Sequence, residues 1–388
     1  MKPLRIAILT SDKRDHDRDY ADPVPGFGPA PAALLQGFAQ LPEVEVHVVS
    51  CTRQPMRSPE KIAENIWYHG LHVPKIGWMR TLYQGCIRAT RKILREIQPD
   101  IVHGQGTEHD CAISAVLSGF PNVLTIHGNM RSVAEFYRAW PGSFYWLAAR
   151  LEGFALRRTT GVFCNSAYTE SLVRPCAQKT WGVPNALHLA FLEPPPEKPA
   201  KTAATLLNVG VLSPHKRQRE ILAMAGRLWR RGLRFELRFA GGTETKTDYG
   251  AGFARELAEA EKSRYARHLG NLPVNELISA MDSALALVHA PEEEAFGLVV
   301  AEALARNLKC FGSRTGGVPD IADGIEGAEL FAAGDWAALE NSIARWLEDG
   351  CPRPSGAAEV MRRRYHPEVI ARRHLEIYRE ISGLSSDV

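Results

Sequence analysis

Short apolar runs recur along the chain, each ended by a turn signal and followed by a segment with helical spacing. In the first half, Leu4–Thr10, Val44–Val49, Ile101–His103, Val123–Ile126 and Gly161–Asn165 read as buried strands, with Pro31–Leu41 as the helix between the first two. A proline-rich stretch, Glu193–Pro199, interrupts the rhythm and reads as a linker. The rhythm then resumes with Leu206–Gly210, Phe235–Ala240, Ala284–Val288 and Leu308–Gly312. Strands alternating with helices predict an α/β fold, with parallel sheets covered on both faces. On such sheets ligands bind beyond the carboxyl ends of the strands, so the loops there hold the candidate chemistry.

Composition narrows the class. At 388 residues the chain is long enough for two domains, and 45% hydrophobic with 23% charged residues is ordinary for a globular protein. A net charge of +3 argues for neither nucleic acid nor membrane. The seven cysteines are scattered with no C-x-x-C pair, which suggests a reducing compartment. The opening MKPLRIAILTSDKRD is charged too early for a signal peptide, and no apolar run approaches the roughly 20 residues of a spanning helix. A cytoplasmic protein is expected. Residues 131–158, rich in aromatics and arginine, leave peripheral contact with the inner membrane face open, although a packed helix with a solvated basic face is the commoner reading.

Residues 289–302, HAPEEEAFGLVVAE, concentrate the chemistry. A strand ends there, Pro291 stops it, three carboxylates follow, and a helix is predicted from Phe296. The opening amides and dipole of such a helix suit an anion. Glu294 precedes that end, and Glu302 lies about five residues inside, roughly 7–8 Å along the axis. Carboxylate, anion-binding amides and carboxylate thus follow in the order of hexose, pyrophosphate and ribose in a nucleotide-sugar. First-turn acids commonly just complement a dipole, so spacing alone does not decide.

In the first half, Pro25–Ala30 brings Gly28 to a predicted helix start, and a dinucleotide fingerprint fails there because the glycines come late and no acid ends the second strand. Asp15-His16-Asp17 imitates a metal-binding D-x-D but reads as a solvated loop. Thr107 reads as a helix N-cap, and His127 and His103, at strand ends, are candidate ligand contacts. In the second half, Lys216 follows a strand at a turn, where an ammonium suits a pyrophosphate. Leu269–Pro273 is a turn, Thr315–Asp320 holds a glycine pair, and a final arginine-rich helix closes the chain.

Together the E-x7-E around F-G-L, the T-x-H-G of residues 125–128, the turn Pro184–Leu187, Lys216 and the G-G-x-P-D of residues 316–320 resemble the family 4 glycosyltransferases of the GT-B fold. The resemblance implies two Rossmann-like domains facing a cleft: 1–193 for the acceptor, 203–365 for the donor, and 366–388 as a helix returning to the first. It implies a retaining, metal-independent hexosyltransferase, moving a hexose or N-acetylhexosamine from a UDP- or GDP-sugar to a hydroxyl of a glycan, glycolipid or small molecule, as in polysaccharide assembly. No cofactor is expected beyond the nucleotide-sugar, and no nucleic-acid partner. By the same resemblance, Glu294 orients the hexose and His127 contacts it. Gly28, Lys216 and the amides of Phe296, Gly297 and Leu298 hold the pyrophosphate, Leu272 passes the base and Glu302 holds the ribose.

The sequence departs from the family pattern at Ala295 and Ala186 (for glycine), at Pro29 (for the second glycine of the first loop) and at Val211 (for an arginine). Two alternatives follow: a GT-B protein that binds nucleotide-sugar with little or no transfer, and a GT-B-like phosphorylase or epimerase.

Overall fold

The computed structural model describes residues 3–194, 204–243 and 247–383; most of the proline-rich linker, 195–203, lies outside them. The chain divides into two compact units, residues 1–188 with 365–388, and residues 189–364. Each is built on a largely parallel sheet.

In the first unit β1 (Leu4–Leu9), β2 (Val44–Thr52), β3 (Lys61–Ala63), β4 (Ile66–His72), β5 (Ile101–Gln105), β6 (Asn122–Ile126), β7 (Gly161–Cys164) and β8 (Thr180–Gly182) run in the order β3-β4-β2-β1-β5-β6-β7-β8. Among the described residues only the β3–β4 pair is antiparallel. Leu9 pairs with Gly104 and Gln105 with Thr125, so the loops after β1, β5 and β6 lie side by side. In the second unit β9 (Thr205–Val209), β10 (Glu236–Ala240), β11 (Ala266–His268), β12 (Ala286–His289), β13 (Lys309–Ser313) and β14 (Ala328–Phe331) run in the order β11-β10-β9-β12-β13-β14, all parallel.

The nine predicted strands form the sheet interiors. Their apolar runs are buried on both faces, as Ile6, Ile8, Val46, Leu206, Leu237 and Val288 illustrate. The strands that the apolar pattern does not reveal, β3, β4, β8, β11 and β14, lie at or next to sheet edges, where polar residues are tolerated.

Two boundaries differ from expectation. The short helix Leu189–Leu192 packs Phe191 and Leu192 into the second unit, so the division falls at 188/189, not 193. The predicted final helix is two helices, Ala357–Tyr365 and Pro367–Ser382, because Pro367 cannot continue a helix and instead opens the next one. That last helix belongs to the first unit. It buries Ile370, Leu375 and Tyr378 against the helix Pro29–Phe38, so closely that a Cβ on Gly37 would fall 2.1 Å from the Pro367 carbonyl oxygen.

Candidate active site

In the second unit β12 delivers His289, and Ala290 and Pro291 remain buried beneath the carboxylate loop. The helix begins at Leu298, two residues later than the sequence suggests, and runs to Ala305. Gly297 caps it at φ 98°, a conformation that favours glycine, while the Phe296 side chain is buried below the loop. Helix geometry leaves first-turn amides without carbonyls of a preceding turn; here the Val300 N–H donates to the Gly297 carbonyl at 2.8 Å.

Three loops are tied together around Glu294. Gly317 N–H donates to the Glu294 carbonyl at 2.9 Å, Thr315 Oγ1 donates to the Glu292 carbonyl at 2.9 Å, and Glu292 N–H donates to the His215 carbonyl at 2.8 Å. Gly316, at φ 54°, passes so near that a Cβ would lie 1.7 Å from the Glu294 carbonyl oxygen. The G-G-x-P-D segment therefore serves as the rest on which the Glu294 loop is seated.

Glu294 Oε2 accepts from Lys216 Nζ at 2.5 Å and from His289 Nε2 at 3.0 Å. A carboxylate only accepts, so His289 carries its proton on Nε2. Burial by itself would raise the Glu294 carboxyl, but the His289 hydrogen bond and the Lys216 charge hold it at about 2. Glu302, eight residues on, behaves in the opposite way. It is 8% exposed, makes no side-chain hydrogen bond or ion pair among the described residues, and is raised by burial to about 7.

Lys216 leaves a one-turn 3-10 helix, Pro214–Lys216, followed by Arg217 in the left-handed conformation. Arg217 lies 3.4 Å from Glu292. Val211 is 64% exposed, an apolar side chain standing in solvent. Leu272 is half-buried in the turn after Gly270, whose carbonyl accepts from Gly241 N–H at 2.8 Å.

In the first unit Gly28 caps the helix Pro29–Phe38; a Cβ there would meet nothing closer than Pro31 at 3.8 Å, so packing does not demand glycine. His127 lines an open recess with Gln105, Thr125, Asn185 and His374. Its Nε2 lies 2.9 Å from Gln105 Oε1. An amide oxygen only accepts, so Nε2 holds the proton. Burial lowers the ring to about 4, which keeps it neutral and leaves Nδ1 as an acceptor.

Three expectations are corrected here. His103 is fully buried, bonded to Thr125 Oγ1 at 2.6 Å and to the Tyr378 hydroxyl, so it is a core residue. Thr107 caps no helix: the next one starts at Asp110, and the Thr107 hydroxyl donates to Glu152 at 2.6 Å. Asp15 is not solvated. The short helix Lys13–Asp17 buries it, and it accepts from Arg53 N–H at 2.7 Å and from the Arg53 guanidinium at 2.5 Å.

Two residues escaped the sequence reading. His289 was visible as a strand-end histidine just before the carboxylates. Glu108 reads as an ordinary acid near a helix start, and nothing in the sequence marks it. Among the described residues, Cys51, Cys86 and Asp110 also bring potential metal-ligand atoms within 4.8 Å of one another, inside the apolar core of the first unit. A hydrogen bond with Cys86, and burial, raise the Cys51 thiol and oppose the thiolate that a metal needs.

Comparison with known proteins bears on the family and the fold. A family model described as Glycosyltransferase Family 4 matches residues 32–191, and one described as Glycosyl transferases group 1 matches residues 192–364. N-acetyl-alpha-D-glucosaminyl L-malate synthase of Bacillus anthracis is 34% identical over 76 residues, which is 20% of this chain and 19% of that protein's length. Sucrose-phosphate synthase from Thermosynechococcus elongatus superposes with a TM-score of 0.77 at 19% identity, over 98% of this chain and all of the other. Anabaena HepE in complex with UDP and glucose gives 0.70 at 15% identity, over 97% of this chain and all of the other. At these identities the structural likeness is one of fold.

Proposed function

The chain belongs to the family 4 glycosyltransferases of the GT-B fold, and from that premise we propose that it is a retaining, metal-independent hexosyltransferase using a nucleoside-diphosphate sugar. The observation that carries this reading is the pair Glu294 and Glu302. One charged carboxyl, and one that burial raises to about 7, flank the amide-bearing start of the helix Leu298–Ala305. A diphosphate at those amides would draw Lys216 away from Glu294, freeing the Glu294 carboxylate to accept hexose hydroxyls. Glu302, without a partner, would accept the ribose hydroxyls. Negative charge grows on the departing diphosphate, and Lys216 with the helix amides would stabilise it there. His127 would meet a sugar hydroxyl through Nδ1. UDP is the first nucleotide to test, since the HepE complex holds it.

The acceptor hydroxyl would come from a glycan, glycolipid or small molecule bound on the first unit. Among the described residues no helix is long and apolar enough to cross a membrane. The exposed aromatics Phe136, Tyr137, Trp140 and Phe144, with Arg138 and Arg150 in the same stretch, support peripheral contact with an anionic bilayer.

Exposed Val211, where the family has an arginine, favours a second reading: a protein that binds nucleotide-sugar and scarcely transfers it. Nucleoside-diphosphate release from UDP-glucose, UDP-N-acetylglucosamine and GDP-mannose separates the two. The proposal predicts slow but measurable release that Glu294→Ala abolishes. Nucleotide binding with no release from any donor would favour the second reading.

A further inference from the structure

Two thiols and a carboxyl from three separate elements converge inside the first unit. Cys51 comes from the end of β2, Cys86 from the first turn of the helix Gln84–Ile97, and Asp110 from the start of the helix Asp110–Val116. Both sulfurs and a carboxylate oxygen lie within 4.8 Å of one another. Cys86 is fully buried and Asp110 is 6% exposed, while Val73, Trp78, Tyr83, Ile87 and Ile113 pack around the thiols. Both cysteines are free thiols.

The carboxyl is weakly met for its depth. Glu152, equally buried, accepts from the Thr107 hydroxyl at 2.6 Å, Asn129 Nδ2 at 3.1 Å, and the amides of Met130 at 2.9 Å and Arg131 at 3.3 Å. Asp110 accepts from its own backbone amide and from the Cys51 thiol. Among the described residues no nitrogen or hydroxyl of another side chain donates to it. The nearby Arg53 is engaged with Asp15. Buried carboxyls are ordinarily satisfied by strong donors, and a thiol is a weak one. The sulfurs are no better supplied: Cys86 Sγ donates to the Gly77 carbonyl at 3.9 Å, and Cys51 Sγ lies 3.8 Å from Thr90 Oγ1.

Two thiolates and a carboxylate are a ligand set for a borderline-soft dication, zinc foremost. Ligand atoms about 2.0–2.3 Å from a tetrahedral zinc stand about 3.3–3.8 Å apart, so these three have roughly 1 Å to close. By themselves, the hydrogen bond with Cys86 and burial hold Cys51 as a thiol. A dication reverses that balance, because it deprotonates a coordinating thiol outright.

We propose that Cys51, Cys86 and Asp110 hold one structural zinc ion, with the Thr90 hydroxyl beside its fourth position. Binding releases the two thiol protons to solvent. The ion clasps β2 to the two helices that carry Cys86 and Asp110, and so fixes the connection 74–83 between β4 and the first of them. Structural zinc sites are closed, and this one is sealed in the core, so it takes no part in sugar transfer. The inference is independent of the glycosyltransferase reading.

The test compares the full chain expressed in zinc-supplemented and in zinc-depleted medium, purified with a reductant, by elemental analysis and thermal melting. Wild type should carry about one zinc per chain and melt roughly 5 °C higher with it than without. Cys51→Ser and Asp110→Asn should melt near the zinc-free wild type and gain nothing from zinc. Cobalt(II) in place of zinc should give wild type a sulfur-to-cobalt charge-transfer band. Zinc-supplemented wild type that carries no zinc overturns the inference. So does zinc retained equally by wild type and Cys51→Ser, which would place the ion elsewhere on the chain. Where the variants fail to fold, wild type alone decides: bound cobalt without a sulfur-to-cobalt band means that no thiolate holds it.

Discussion

The strand ends of the two sheets present opposite electrostatics. In the second unit the candidate groups are charged and already paired: Lys216 and His289 both reach Glu294, and Arg217 lies beside Glu292. In the first unit they are desolvated and without ion pairs, His127 held neutral and Glu108 poised between its two forms. A pre-paired cation can be drawn to an incoming anion without leaving a bare buried charge behind, because Glu294 keeps His289. A neutral imidazole suits hydroxyl groups, which carry no charge to neutralise. The contrast teaches that two similar α/β frames can carry opposite electrostatics at their strand ends through a handful of loop residues.

Removing the cation attacks the charged side most strongly. Lys216→Ala should slow sugar transfer roughly 10²- to 10³-fold, measured as nucleoside-diphosphate release, and leave the first-unit groups untouched. A loss below tenfold would mean that Lys216 serves only as the partner of Glu294.

Glu302 is the exception on that side, and its stability effect sharpens the comparison. Burial raises its carboxyl from 4.5 to about 7, so between those values the folded chain holds a proton that the unfolded chain has lost. Stability from this group is fully present below about 4.5 and is lost as pH rises through about 7. The loss amounts to about 3 kcal/mol. Glu302→Gln, which cannot ionise, should therefore match wild type in acid and exceed its stability above neutrality, in urea titrations at each pH. Equal stability at all pH values would show that Glu302 is better solvated than its surroundings indicate.

Much of this was legible in the sequence. The apolar runs mark every interior strand except β4, and the E-x7-E spacing places two carboxylates about a helix start. What was not legible arises from distant chain segments meeting. Lys216 and Glu294 are 78 residues apart, and only folding reveals that they pair. His103 looked like a ligand contact because nothing nearby announces Tyr378, 275 residues later, which covers it. Thr107 has a good capping sequence, but Glu152, 45 residues on, claims its hydroxyl. Glu108 stayed hidden because its burial depends on Gly106, Gly128 and Glu152 meeting, and no spacing encodes that meeting.

The central claim is that the second unit binds a nucleoside diphosphate through Glu302 and the helix that carries it. Calorimetric titration of UDP, GDP, ADP and NAD into the wild-type protein with a chelator present, repeated on Glu302→Ala, tests it most directly. The account predicts that one nucleoside diphosphate binds, that NAD does not, and that Glu302→Ala weakens binding roughly 10- to 100-fold, the worth of a charged hydrogen bond. Failure of every nucleotide to bind, or a Glu302→Ala protein that binds as tightly as wild type, would contradict it.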